Sequence, residues 1–166
     1  MQLSALVDVR SGGNLYSLTN AYGTRSGVLA RTLRGRETRP DTLEGSGIVM
    51  TGVTVTAQGD TVPFTRRVTS QAYHRGLTNI HEEFVYDASF VKLREVRLQY
   101  AIPARVTSRL GVSALQVSVV GRNLALWTDV PNVDPETAFN AGNVQGFEYS
   151  QFPSSRSVGF NLTVTP

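Results

Sequence analysis

The stretch Phe84-Val85-Tyr86-Asp87-Ala88-Ser89-Phe90-Val91-Lys92-Leu93-Arg94-Glu95-Val96-Arg97-Leu98-Gln99-Tyr100-Ala101-Ile102-Pro103 decides the fold. Its second half alternates. Val96, Leu98, Tyr100 and Ile102 fall on one face, and Glu95, Arg97 and Gln99 on the other. A period of two predicts a strand whose faces meet unlike surroundings. Upstream the phase flips, with Val91 and Leu93 apolar and Lys92 and Arg94 polar. One extra residue near Arg94-Glu95, a β-bulge, restores a common apolar face.

Three further strands can be read outward from this one. In residues 2–10, Leu3, Ala5, Val7 and Val9 alternate with Gln2, Ser4, Asp8 and Arg10, and only Leu6 breaks the pattern. Gly12-Gly13 interrupts this strand, and residues 14–22 read as a looser continuation. Downstream, Leu115, Val117 and Val119 alternate with Gln116 and Ser118. A second phase slip near Gly121 then brings Leu124 and Leu126 onto the apolar side, and Trp127-Thr128 ends the strand. The last strand is the cleanest, with Val158, Phe160, Leu162 and Val164 set against Ser157, Gly159, Asn161, Thr163 and Thr165.

The connections are unequal. Residues 104–110 fit a short helix opened by Pro103 at its first position and closed by Gly111. Residues 31–83 are polar, with turn signals at Arg39-Pro40-Asp41, Gly45-Ser46-Gly47 and Gln58-Gly59-Asp60, and one alternating arm at Val53-Thr54-Val55-Thr56. Residues 129–155 form another long loop, marked by Pro131, Asp134-Pro135, Gly142, Gly146 and Pro153. Connections this long are usually functional in a compact domain.

Composition narrows the class. The chain has 166 residues, 40% hydrophobic and only 17% charged, which is too few charges for a coiled coil and too apolar for disorder. Cysteine is absent, so a disulfide scaffold and a thiolate zinc site are excluded. The net charge of +3 is spread among single arginines, so no basic face is gathered for nucleic acid. His74 and His81 lack partners at metal-ligand spacing and read as exposed loop residues. Asp134 and Glu136 flank Pro135 in what reads as an Asx-type turn. Gly45-Ser46-Gly47 lacks the lysine of a phosphate loop. No catalytic set, metal site or cofactor motif is expected. The aromatic residues Phe139, Phe147, Tyr149 and Phe152 lie in a polar, Gly-rich loop, and Tyr73 in the earlier one. These are the candidate ligand-binding residues.

The period alone fits either a soluble β-sandwich ligand-binding module or a transmembrane barrel, which pairs short turns at one end with long loops at the other. The phrase Asp87-Ala88-Ser89-Phe90-Val91-Lys92-Leu93-Arg94-Glu95-Val96, followed by Leu98-Gln99-Tyr100-Ala101-Ile102-Pro103, closely resembles a strand near the carboxyl end of SusC/RagA-type TonB-linked outer-membrane proteins. Leu110-Gly111, Gly121-Arg122-Asn123-Leu124, Trp127-Thr128, Val133-Asp134-Pro135-Glu136, Phe152-Pro153 and Val158-Gly159-Phe160-Asn161-Leu162 continue the likeness. It implies an all-β, antiparallel up-and-down meander, the C-terminal strands of a large transmembrane β-barrel of about 22 strands with long extracellular loops.

The same resemblance implies that residues 1–166 are a C-terminal part of the receptor barrel, with signal peptide, plug and most strands elsewhere. Such proteins sit in the outer membrane of Gram-negative bacteria and import oligosaccharides or peptides. The implied partners are a SusD-like lipoprotein, TonB, membrane lipid, and a glycan or peptide ligand. Val96, Leu98, Tyr100, Val158, Phe160, Leu162 and Val164 are then expected to face lipid, and Glu95, Arg97, Gln99, Asn161 and Thr163 the lumen. Residues 31–83 and 129–155 are expected at one end of the sheet, and residues 104–112 at the other.

Overall fold

The alternation quoted above becomes a long central strand in a computed structural model, which describes residues 1–36, 47–138 and 142–166. In chain order the strands are β1 (Gln2–Arg10), β2 (Asn14–Ser17), β3 (Ile48–Val55), β4 (Thr61–Val68), β5 (Val85–Asp87), β6 (Phe90–Ala101), β7 (Ala114–Thr128), β8 (Phe147–Glu148) and β9 (Ser157–Thr165). The α-helices are α1 (Leu18–Ser26), α2 (Ser70–Leu77) and α3 (Ala104–Thr107). The turn signals at Arg39-Pro40-Asp41 and Gly45-Ser46, and the candidate residue Phe139, lie outside the described residues. The chain forms two units, one of residues 1–15, 86–146 and 151–166, the other of residues 16–85 and 147–150.

The first unit is a four-stranded antiparallel meander in the order β1-β6-β7-β9. Its register aligns the apolar positions of all four strands. Leu3 pairs with Leu98, Leu98 with Val119, and Val119 with Phe160; on the next row Tyr100 pairs with Val117, and Val117 with Leu162. Directly paired residues share a face, so these side chains form one apolar sheet surface. The polar rows are aligned as well, with Gln99 opposite Ser118, and Ser118 opposite Asn161. The predicted bulge is present at Arg94. Leu6 pairs with Glu95 but Val7 with Leu93, so Arg94 is the extra residue.

The second slip does not do what the sequence suggests. Leu93 pairs with Ala125 and Val91 with Trp127, while Leu126 pairs with Lys92. β7 therefore keeps odd-numbered residues on the apolar face to its end, and Leu126 joins the polar face. The irregularity is absorbed around Asn123, whose φ of 51° lies in the left-handed region. Asn tolerates that region far better than a β-branched residue does.

Arg10, Phe90 and Thr128 lie together at one end of the sheet, from which residues 11–89 and 129–156 depart. Residues 102–113 close the opposite end through α3 and a following 3₁₀ turn. Pro103 is the N-cap of α3, one position before the predicted one. The small core of this unit sits at the long-loop end, where Leu15, Ala88, Val130 and Ala138 are buried and Tyr86 and Val133 pack on them.

Within this unit, no described residue forms a second layer over the apolar sheet face. Leu3 is 68% exposed, Trp127 58%, Phe160 81% and Leu162 63%. Among the described residues, no helix is long and apolar enough to cross a membrane.

The second unit holds an antiparallel hairpin, β3–β4, which extends the predicted arm in both directions. It also holds a short parallel pairing of Tyr16 with Phe147 and Ser17 with Glu148. Residues 14–22 are not one loose strand: β2 ends at Ser17, which becomes the N-cap of α1, its hydroxyl accepting from the Asn20 N–H. Gly27 ends α1 at φ 76°, the left-handed cap conformation that favours glycine.

Candidate functional site

Two side-chain constellations stand out, one in each unit. The first is a knot of charges on the polar face of the sheet. Lys92 alternates onto that face from β6, opposite Asp8 and Leu126. It is 1% exposed. Its Nζ donates to Asp134 Oδ2 and to Glu136 Oε2, both at 2.7 Å. From the bulge, Arg94 Nη2 reaches Asp8 Oδ2 at 2.5 Å and Glu136 Oε1 at 2.6 Å. Ser154 Oγ donates to Asp134 Oδ2 at 2.6 Å.

The carboxylates are held by their own turn. Asp134 Oδ1 accepts from the Glu136 N–H at 3.1 Å, the predicted Asx-type turn, and the Thr137 hydroxyl donates to the Asp134 carbonyl. Burial pushes the Asp134 carboxyl up, but the hydrogen bonds from Lys92, Ser154 and the Glu136 N–H outweigh it and hold it below the ordinary carboxylate range. The Arg94 guanidinium, against a smaller effect of burial and with help from Lys92, lowers Glu136. The knot fastens residues 129–138 and 154 to the polar face. A cavity of about 360 Å³ opens beside it, lined among others by Lys92, Asn123, Asp134, Ser154 and Arg156.

The Asp87-Ala88-Ser89-Phe90 phrase acquires a physical account. Asp87 Oδ1 accepts from the Ser89 N–H at 2.8 Å and from its hydroxyl at 2.5 Å. Those bonds, the hydroxyl's first, lower the Asp87 carboxyl. The Gly12 N–H donates to Ser89 Oγ, the Ala88 N–H to the Gly13 carbonyl, and the Thr128 hydroxyl to the Ser89 carbonyl. Gly12 and Gly13 stand at φ 83° and 88°, which side chains on both would oppose. The phrase locks the long-loop end of β6 to its neighbours, with Ala88 in the core.

The second constellation is aromatic. β8 alternates, so Glu148 turns inward while Phe147 and Tyr149 flank it on the other side. Glu148 is fully buried and accepts from Ser17 Oγ at 2.7 Å, Thr19 N at 3.0 Å, Thr19 Oγ1 at 2.6 Å and Ser150 N at 2.5 Å. Burial raises this carboxyl, but the Thr19 and Ser17 hydroxyls and two backbone N–H groups outweigh it and the net direction is down. It also sits at the positive end of α1, where an anion is favoured. With Glu148 fixed, Phe147 stacks on Tyr149 at 5.8 Å and meets Tyr16 at 5.6 Å. Tyr16 continues the row to His81, 5.8 Å away, and its hydroxyl lies 3.1 Å from His81 Nδ1. Phe147 and Tyr149 are 41% and 47% exposed. Rings held side by side with faces open to solvent can stack on a sugar ring or a planar side chain.

The other predicted residues do not join this row. Tyr73 packs edge-on against His74 at 5.2 Å, and Phe152 is 97% exposed. His81 is exposed as expected, but His74 is not a loop residue: it lies in α2, 4% exposed, with Nδ1 2.8 Å from the Ser70 carbonyl. The periodicity missed this because α2 buries polar side chains. Among the described residues, no group of three His, Asp or Glu side chains could hold a metal ion.

Comparison with known proteins follows the same lines. No family model matches the chain. TonB-dependent receptor P3 of Formosa agariphila is 30% identical over 91 residues, which is 51% of this chain and 9% of that protein. TonB-dependent receptor P26 of the same organism is 34% identical over 87 residues, 49% of this chain and 9% of its own length. Among solved structures, the RagAB peptide transporter superposes with a TM-score of 0.56 at 18% identity, covering 98% of this chain and 15% of the other. The RagAB peptide importer in its open-open state gives 0.53 at 15% identity, with the same coverage. The chain thus spans under a tenth of the curated relatives' length.

About half of the chain is thus similar in sequence to two TonB-dependent receptors. Nearly all of it shares its fold with the RagAB structure, in keeping with the SusC/RagA resemblance of the β6 and β7 motifs.

Proposed function

We propose that this chain is the C-terminal part of the barrel wall of a SusC/RagA-like importer in the outer membrane of a Gram-negative bacterium. One observation carries the reading: a four-stranded antiparallel sheet presents an aligned apolar face, exposed across all four strands, and a polar face held by an ion-pair knot. Such a pairing of faces suits lipid on one side and a wet lumen on the other. A soluble β-sandwich would need a second layer over Leu3, Trp127, Phe160 and Leu162, and these are exposed.

In this reading the sheet closes with strands from the rest of the protein, residues 11–89 and 129–156 lie on the extracellular side, and residues 102–113 are periplasmic. TonB energises uptake and a SusD-like lipoprotein covers the extracellular mouth, as the resemblance to SusC/RagA proteins implies. The cargo is an oligosaccharide or a peptide, and the row of Tyr16, Phe147 and Tyr149 is its contact in this segment. Phe152, Tyr73 and Phe139 are secondary candidates.

The test is uptake by cells carrying the full-length protein, given fluorescent peptide and oligosaccharide pools in parallel. Uptake of one pool, abolished by uncoupling the membrane and reduced about tenfold by the Phe147→Ala/Tyr149→Ala pair, is expected, because each lost ring contact removes about 0.5–1.5 kcal/mol. Energy-independent uptake, or uptake of neither pool, would overturn the importer reading. Uptake unchanged by the pair would remove the aromatic row from it.

A further inference from the structure

A second cavity, within residues 16–85, has the chemistry of an anion site. It measures about 680 Å³ and lies between the C-terminal end of α1, Arg36 and the first turns of α2. Three arginines line it, Arg25, Arg36 and Arg75, and among the described residues its wall contains no carboxylate. Arg31, nearby in sequence, is by contrast neutralised by Glu83. Arg36 is held in place, its Nη2 donating to the Gly27 carbonyl at 3.1 Å and to Thr32 Oγ1 at 3.3 Å. Arg25 and Arg75 are exposed and make no ion pair among the described residues.

The backbone adds to this charge. α2 opens on Thr69, whose hydroxyl accepts from the Ala72 N–H at 3.2 Å. The N–H groups of Ser70 and Gln71, which also line the cavity, have no partner among the described residues. Unpaired N–H groups at a helix start carry partial positive charge and point outward along the axis. At the opposing end of α1 the Thr24 and Gly23 carbonyls are engaged, accepting from the Gly27 and Val28 N–H groups at 3.2 and 3.0 Å. Gln71 and Arg75 stand four residues apart and so share a face of α2.

Like charges gathered in a concave wall repel one another and focus a positive potential, which an anion relieves. Guanidinium forks and helix-terminal N–H groups are the donors that fit the oxygens of a carboxylate, sulfate or phosphate. We propose that this cavity binds an oxyanion carried by a small organic ligand. The volume fits a molecule of sugar size, within the range of about 300–1,000 Å³ typical of small-molecule sites. Arg25, Arg75 and the start of α2 would grip the oxyanion, with Arg36 fixed behind them. This site stands on residues 16–85 alone and does not depend on the import reading.

The test is calorimetric titration of the detergent-solubilised full-length protein at low ionic strength with sodium sulfate, sodium phosphate, sodium acetate and sodium glucuronate. Saturable binding of at least one is expected, and the responding ions identify the oxyanion. Arg25→Gln/Arg75→Gln should weaken it about tenfold or more, while Arg109→Gln, in the 3₁₀ turn after α3, should leave it unchanged. Protection from phenylglyoxal, read by mass spectrometry on the unmutated protein, gives a second readout. The bound anion should shield Arg25 and Arg75 but not Arg109. No saturable binding by any of the four, equal weakening by Arg109→Gln, or absence of shielding would each overturn the proposal.

Discussion

Lys92→Met isolates the contribution of the charge knot. Methionine keeps most of the unbranched stem and removes the ammonium. Asp134, whose side chain is 3% exposed, is then left as a buried carboxylate supported only by Ser154 and the Glu136 N–H. Removing one partner of a buried ion pair costs about 3–5 kcal/mol. Glu136 is 37% exposed on its side chain and keeps Arg94, so it adds little to the loss. The lower end, about 3 kcal/mol, is the expected cost. At 1.4 kcal/mol per decade, that opens the 129–138 segment about a hundredfold more often. Hydrogen exchange on the solubilised full-length protein reads this directly as faster exchange at the bonded amides of Val130, Glu136 and Thr137, with the Val117 and Val119 amides unchanged. Lys92→Met/Asp134→Leu should recover much of the protection, because no buried charge is then left unpaired. Parental exchange in the single variant, or a double variant no better than the single, would refute the reasoning.

Other outcomes follow from the same geometry. Asp134, Glu136 and Glu148 all have lowered carboxyls, so the stabilisation they bring is full above the ordinary carboxylate range and is lost as pH falls through their lowered values. Protection of residues 129–138, corrected for intrinsic exchange, should fall on acidification and hold in mild alkali; the opposite trend would contradict the ion-pair account. Glu148→Gln exchanges an ionised acceptor of four hydrogen bonds for a neutral one, and should loosen the start of α1 by about 1.5–3 kcal/mol in exchange at Asn20 and Ala21. Leu162→Arg, on the apolar face, should cost about 2–4 kcal/mol of barrel stability in liposomes if it lies near the midplane, and Thr163→Arg much less; equal costs would reject the facing. The isolated chain exposes β1 and β9 as sheet edges as well as the apolar face, so size exclusion without detergent should show aggregates. A sharp monomer peak there would favour the soluble module.

The four meander strands are legible because each sets an apolar row against a polar one, so alternation runs along nine or more residues with few breaks. A bulge shows as a break in that alternation only when polar and apolar residues exchange roles, as at Lys92-Leu93-Arg94-Glu95. On β7 the residues around Asn123 shift without such an exchange, and Leu124 and Leu126 look like apolar-face residues. Leu126 instead lies on the polar side beside the buried stem of Lys92. Helix α1 leaves no comparable signal. It buries Asn20, Ala21, Gly23 and Thr24, a face of small and polar side chains that no hydrophobic period reveals.

The sites are legible in their parts and illegible in their joining. Lys92 and Asp134 each sit in a recognisable phrase, but they are 42 positions apart, and a lysine on the polar face of a strand looks the same whether it meets water or a carboxylate. The turn around Asp134 is readable because an Asx turn is local, whereas the ion pair depends on which loop folds back over which strand. The aromatic row shows the same division. Phe147 and Tyr149 stand out in the sequence as rings in a polar loop, yet what sets them side by side is Glu148 between them, bonded to Ser17 and Thr19, which lie 131 and 129 positions away. Two residues are too few to show a period of two, so β8 has no signature of its own. Its geometry is imposed by the cost of burying a carboxylate, which the start of α1 and the Ser150 N–H meet with four donors. A buried acid next to exposed rings is therefore the feature that turns a loop of aromatics into an ordered row, and Glu148 is the residue on which that row depends.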